Sequence, residues 1–195
     1  MRLGLLAVWL FLLVGAWTYN AGPGQDQLVL DEVDAILAEA YDHAVNERWA
    51  EAVTSYEDAL KTLPKDRVEK ARWVRIERDQ AMTKAAKLPE ALSDLKSLVS
   101  ELMEEDVEGP LMDKARTALA NALYYMTWLK RLEGLPREEW EPDIEAARQN
   151  YRLLAESAKK RGDKDAEEKN KDLESAIRLA RMELKDLQGL PLPSQ

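Results

Sequence analysis

Apolar positions recur along this chain at three- and four-residue steps, the spacing of helices that bury one face. From about 26 to 46 the stripe is Leu30, Val33, Leu37, Ala40 and Ala44, and from 48 to 62 it is Trp49, Ala52, Tyr56 and Ala59, closed by Leu63. Residues 66–87 carry Ala71, Val74, Ala81 and Ala85, with Arg78 on the same stripe, and 89–105 carry Leu92, Leu95, Val99 and Leu102. The segment 111–132 repeats by sevens through Leu111, Ala118, Tyr125 and Leu132, and it is apolar on its other sides at Leu119, Leu123, Met126 and Trp128. A helix apolar almost all round must be covered from several directions, so this one is predicted to be central. Two more stripes follow, Ile144, Ala147, Tyr151, Leu154 and Ala158 in 142–161, then Leu173, Ile177, Ala180, Leu184 and Leu187 in 163–187. No segment alternates like a strand. Gly and Pro fall at the boundaries (Pro64, Pro89, Gly109-Pro110, Gly134, Pro136, Pro142, Gly162, Gly189), where Gly closes helices and Pro opens or follows them. The pattern predicts an all-α stack of seven amphipathic helices, with one longer connection at about 133–141 that contains Trp140.

The N-terminus departs from this pattern. Leu3 to Tyr19 holds no charge, and as a helix it would span about 26 Å, the short end of a bilayer core. Arg2 precedes it, while Asp26, Asp31, Glu32 and Asp34 follow. The positive-inside bias therefore leaves the N-terminus in the cytosol and exports the rest, as a single-pass membrane protein held in the bilayer by residues 3–19. The alternative is a cleaved signal peptide with Val14-Gly15-Ala16 before the cut and a secreted domain. Residues 1–21 are thus expected to be the anchor or signal, 22–28 a linker, 29–188 the helical domain and 189–195 a Pro-containing tail. In that tail, Leu190-Pro191-Leu192-Pro193 reads as a helix stop in preference to a polyproline ligand.

Composition narrows the chemistry. The 195 residues contain no Cys and a single His, His43, which excludes disulfides, thiolate metal sites and any site needing two imidazoles. A formal charge of −9 argues against nucleic acid as a partner.

The segment Ala40–Pro64, AYDHAVNERWAEAVTSYEDALKTLP, carries Ala40, Ala52, Tyr56, Ala59 and Pro64 together, with Trp49 opening its second helix. It resembles one tetratricopeptide repeat. Short Ala side chains let two antiparallel helices approach, Tyr56 fills the gap, and Pro64 ends the unit. The segment departs from the family at Glu39 and His43, where a large apolar residue and an aromatic one are usual. Weaker copies place Leu88, Ala91, Leu95 and Leu98, then Ala147, Tyr151 and Leu154, at corresponding steps, but the period is not constant. The resemblance implies a right-handed α-solenoid of about three antiparallel pairs. It also implies a concave groove lined by first helices, which by position puts Leu37, Tyr41, Ala44, Trp73, Ile76 and Gln80 on a partner surface. The family's Lys and Asn clamp for a C-terminal carboxylate is missing from those positions.

No catalytic constellation can be assembled. Glu39, His43 and Glu47 share a helical face, but a second imidazole ligand does not exist, so His43 is read as a partly buried structural residue. Glu104-Glu105-Asp106, Glu138-Glu139 and Glu167-Glu168 fall at helix ends and read as solvated or capping carboxylates. Arg72, Arg75 and Arg78, interleaved with Glu69, Glu77 and Asp79, read as a salt-bridge-laced face, with the Arg78 stem packed and its guanidinium paired to a carboxylate. The expectation is a non-enzymatic module without metal or cofactor that binds a protein partner. The alternatives are a self-assembling helical protein, or a substrate-binding accessory domain with a closed pocket near His43 or residues 133–141.

Overall fold

Five of the helices end the same way. In each, the backbone turns left-handed one or two residues past the helix, and the following N–H reaches back five residues to a carbonyl: Arg48 to His43, Lys87 to Met82, Val107 to Leu102, Leu135 to Lys130 and Asp163 to Ala158, all at 2.8–3.0 Å. This closure consumes carbonyls that the helix end would otherwise leave unpaired. Gly134 and Gly162 take the left-handed position at two ends, while Glu47, Ala86 and Asp106 take it at the others with φ of 57°, 59° and 51°.

The computed structural model describes residues 23–188. Every regular element among them is helical: α1 (Pro23–Val45), α2 (Trp49–Thr62), α3 (Val68–Lys84), α4 (Leu88–Glu104), α5 (Pro110–Leu132), α6 (Arg137–Arg161), α7 (Ala166–Arg181) and α8 (Leu184–Gln188). The all-α class is thereby established. The expected anchor at 3–19 and the tail from Gly189 lie outside the described residues. Among the described residues, no helix is long and apolar enough to cross a membrane. Helix α1 starts at Pro23, so residues 23–28 of the expected linker are helical.

The chain divides into two compact units, one ending at Val74 and one beginning at Arg75, so the boundary falls inside α3. In the first unit α1 packs along α2. Val33, Ala40, Ala52, Val53 and Ala59 are fully or almost fully buried and Tyr56 nearly so, and Lys70 at the start of α3 holds Asp34 of α1 at 2.6 Å. Side chains this short let the two backbones close up, which leaves Tyr56 as the main filler.

In the second unit α5 is central, as its all-round apolar pattern requires: α4, α6 and α8 pack on it, and α7 packs on α6. Gly109 caps α5 with φ 88° and ψ −153°, a conformation open only to glycine, and Pro110 supplies the first turn. Leu95, Leu98 and Leu102 of α4, Leu123 of α5 and Ile144 of α6 are fully buried or nearly so. Burying each removes a large aliphatic side chain from water, a gain of about 2–3 kcal/mol apiece before entropy.

Two boundaries differ from the sequence expectation. Helix α6 begins at Arg137 and not at Pro142, which sits inside it, so the expected long connection shrinks and Trp140 is helical. A proline six residues into a helix forfeits only the bond to the carbonyl four residues back, near the frayed end. The last expected helix is broken at Met182, where the backbone turns extended, and α8 follows. Arg131 of α5 accounts for the break. Its guanidinium is buried, donates to the carbonyls of Leu179 and Met182, and lies 4.7 Å from the centre of the Trp140 ring. Carbonyls taken by Arg131 no longer need a continuing helix, and the chain folds back to bury Leu187 completely.

Candidate functional site

In the first unit the residues expected to line a groove have unequal access. Tyr41 of α1 is 67% exposed, whereas Leu37, Ala44 and Trp73 are half-buried. Of the two in the second unit, Gln80 is half-buried and Ile76 has no exposed surface, so Ile76 serves packing. His43 is mostly buried, with Nε2 3.5 Å from Glu39 Oε1 and Nδ1 buried without a hydrogen-bond partner. Among the described residues, no group of three His, Cys, Asp or Glu side chains could hold a metal ion. The acidic runs at 104–106, 138–139 and 167–168 are all solvent-exposed.

The densest charge constellation lies in the second unit, where α3 meets α4. Arg78 donates to Asp79 Oδ1 through Nε at 2.9 Å and Nη2 at 2.8 Å, and Nη2 also donates to Asp94 Oδ2 at 2.6 Å. Its side chain is only 19% exposed, as its place on the inward stripe demands. Arg75 bridges both Asp94 oxygens, at 3.2 and 3.0 Å, and reaches Glu101 at 2.9 Å. Asp79 has no exposed surface, and its Oδ2 is buried without a hydrogen-bond partner.

Burial pushes the Asp79 carboxyl up to about 8; the Arg78 charge opposes this, and the neighbouring Asp94 carboxylate adds to it. Burial also acts on Asp94, but hydrogen bonds from Arg75 and the charges of Arg75 and Arg78 outweigh it and hold Asp94 below the usual carboxylate range. Burial would lower Arg75, yet its bonds to Glu101 and Asp94 raise it further. The result is a lock of two guanidiniums on three carboxylates that joins α3 to α4. The sequence showed these charges as a surface lattice. The signal it held was the step Ile76, Asp79, Thr83, a buried stripe in which Asp79 takes a core position.

Two cavities open on the second unit. One, of about 620 Å³, lies at the start of α5 and the turn between α6 and α7. Its cations are matched: Arg161 meets Asp113 at 2.6 Å and Asp163 at 2.7 Å, Lys169 meets Asp165 at 3.2 Å, and Lys114 meets Glu77 at 2.6 Å. The other, of about 690 Å³, runs between α6 and α7 and is floored by Pro142, Ala146, Leu153, Leu173 and Ile177. Neither cavity includes His43 or residues 133–141. No protein-family model matches the sequence, and no curated protein matches it.

Proposed function

We propose that the chain is a membrane-anchored, tetratricopeptide-like module on the exported side of a bacterial envelope, binding a protein partner without chemistry of its own. The observation that carries this reading is the contrast on one helix pair. Ala40, Ala52, Tyr56 and Ala59, the positions behind the repeat resemblance, are buried, while Tyr41 on the same first helix keeps 67% of its surface in solvent. A large aromatic ring left outside a well-packed pair is the kind of residue that anchors a partner. The uncharged run Leu3–Tyr19 supports the anchor, and the acidic charge of the rest supports a protein ligand over nucleic acid.

The test is a pull-down from detergent-solubilised membranes with wild type, Tyr41→Ala and Trp73→Ala, each checked by thermal denaturation. Loss of a specific partner from the Tyr41→Ala sample, with its melting temperature unchanged, is the expected result. A partner list that neither substitution alters removes the groove reading.

A further inference from the structure

The outward face of an amphipathic helix is ordinarily polar. Two faces of this chain, one on α1 and one between α6 and α7, do not follow that rule. On α1, Leu28 is 58% exposed and Val45 62% exposed, and Ala35 and Ala38 lie open between them. These four, with Asp31 and Asp42, repeat at alternating steps of three and four and so form one stripe, about 27 Å long. The stripe runs on the side of α1 away from Val33 and Ala40, which are buried. Acids outnumber cations along it: between Arg2 and Arg48 there is no Lys or Arg against Asp26, Asp31, Glu32, Asp34, Glu39, Asp42 and Glu47, and of these Arg48 holds Asp42 and Lys70 holds Asp34, each at 2.6 Å.

The groove between α6 and α7 has the opposite character. Its floor is apolar, Leu153 is 38% exposed, and Arg148 and Arg152 outnumber the one acid, Glu145, among its lining. Each of these arginines meets only an exposed glutamate of its own helix, Glu145 at 2.5 Å and Glu156 at 2.8 Å. Exposed pairs of this kind cost little to exchange for an incoming carboxylate.

We propose that the acidic, apolar stripe of α1 docks into the arginine-lined α6–α7 groove of a second copy, so that copies join head to tail. One copy's groove and stripe are different surfaces, so each joined pair still offers one of each, and the contact extends into a chain of copies or a ring. The apolar floor takes Leu28, Ala35, Ala38 and Val45, and Arg148 and Arg152 meet carboxylates along the stripe. A like pairing of two α1 stripes would set Asp31 against further acids, Asp42 being already held by Arg48. Tyr41 borders this stripe, three residues after Ala38 and four before Val45, so the assembly is tested through the groove and the stripe residues themselves and leaves Tyr41 unchanged.

The absence of cysteine allows a direct test in membranes with the full chain. Ala38→Cys marks the stripe and Ala146→Cys marks the groove, both mild changes at positions that are not fully buried. With a bis-maleimide crosslinker, the doubly marked chain is expected to give a ladder of dimers, trimers and larger species. Chains marked only at 38 and only at 146 should crosslink when mixed and remain monomeric when alone. Arg148→Glu/Arg152→Glu in the doubly marked chain should reduce the ladder at least tenfold, with its melting temperature retained. Dimers from the 38-marked chain alone would show α1 facing α1. No crosslink in any sample would show these faces free or covered by another occupant, including residues 1–22, and a ladder unaffected by the Arg substitutions would show a different interface. Each of these three results overturns the proposal, and since every sample keeps Tyr41 and Trp73, the pull-down with those two substitutions is read separately.

Discussion

Asp79→Asn tests the lock between α3 and α4 at its most costly point. The Asp79 carboxyl has no exposed surface, Oδ1 takes both Arg78 bonds, and Oδ2 takes none. Its pKa rises from 3.8 to about 8, chiefly through burial. A carboxyl whose folded pKa lies above its unfolded value binds more protons folded than unfolded, so stability falls as pH rises between the two values. The contribution of this proton is whole below about pH 4 and is lost as pH climbs through about 8. At about 1.4 kcal/mol for each tenfold in proton affinity, the full gap sets a ceiling of about 6 kcal/mol. Only the part between pH 5 and pH 8 is open to an ordinary assay, and Arg78 and Asp94 share the same charges, so ~2 kcal/mol is expected. Asp94 is shifted the other way and loses its contribution only as pH falls below the ordinary carboxylate range, outside this window. Asn keeps the shape, cannot ionise, and can donate from the position where Oδ2 now receives nothing. Urea denaturation followed by far-UV circular dichroism at pH 5, 6.5 and 8 should show wild type weakening with pH. Asp79→Asn should match it at pH 5 and exceed it by ~2 kcal/mol at pH 8. Parallel curves, or a variant weaker than wild type at pH 8, would refute the reasoning.

Arg131→Met should cost ~2–3 kcal/mol, because two carbonyls lose a charged donor and Trp140 loses the nearer of its two cations; hydrogen exchange should show α8 losing protection before α5. Ala86→Gly should stabilise the protein by ~0.5–1 kcal/mol, since Ala86 holds φ 59° with a Cβ that glycine lacks, and Gly162→Ala at φ 73° should cost about as much; both are read from denaturation midpoints. His43→Phe removes a buried, unpartnered Nδ1 and fills the same slot with an apolar ring, so the melting temperature should rise by a few degrees. Excess Zn²⁺ should leave the wild-type melting temperature unmoved, and a clear rise would show that His43 has ligand partners after all.

What the sequence disclosed and what it withheld divide along the range of the forces involved. The helices from α1 to α5 were legible because each buries a local stripe and ends at a turn the chain itself encodes, as Gly109-Pro110 does for α5. The break at Met182 was not, because it depends on Arg131, 48 and 51 residues away from the carbonyls it binds. Local periodicity runs unbroken from Leu173 to Leu187 and carries no trace of that contact. The start of α6 at Arg137 is hidden from the local pattern for a related reason. Pro142 looks like a first-turn proline until Trp140, two residues earlier, is seen to lie against Arg131 and Arg137. The groove residues show a further limit: Tyr41 of α1 and Ile76 of α3 are both apolar positions at helical spacing, yet one is 67% exposed and the other fully buried. Periodicity names the face a residue is on, and only packing decides whether that face is already covered. The same distinction gives α1 its meaning. Its second apolar stripe follows the rhythm of a buried one without being buried, and an acidic rim around such a stripe selects a basic, apolar counterpart of the kind that α6 and α7 provide.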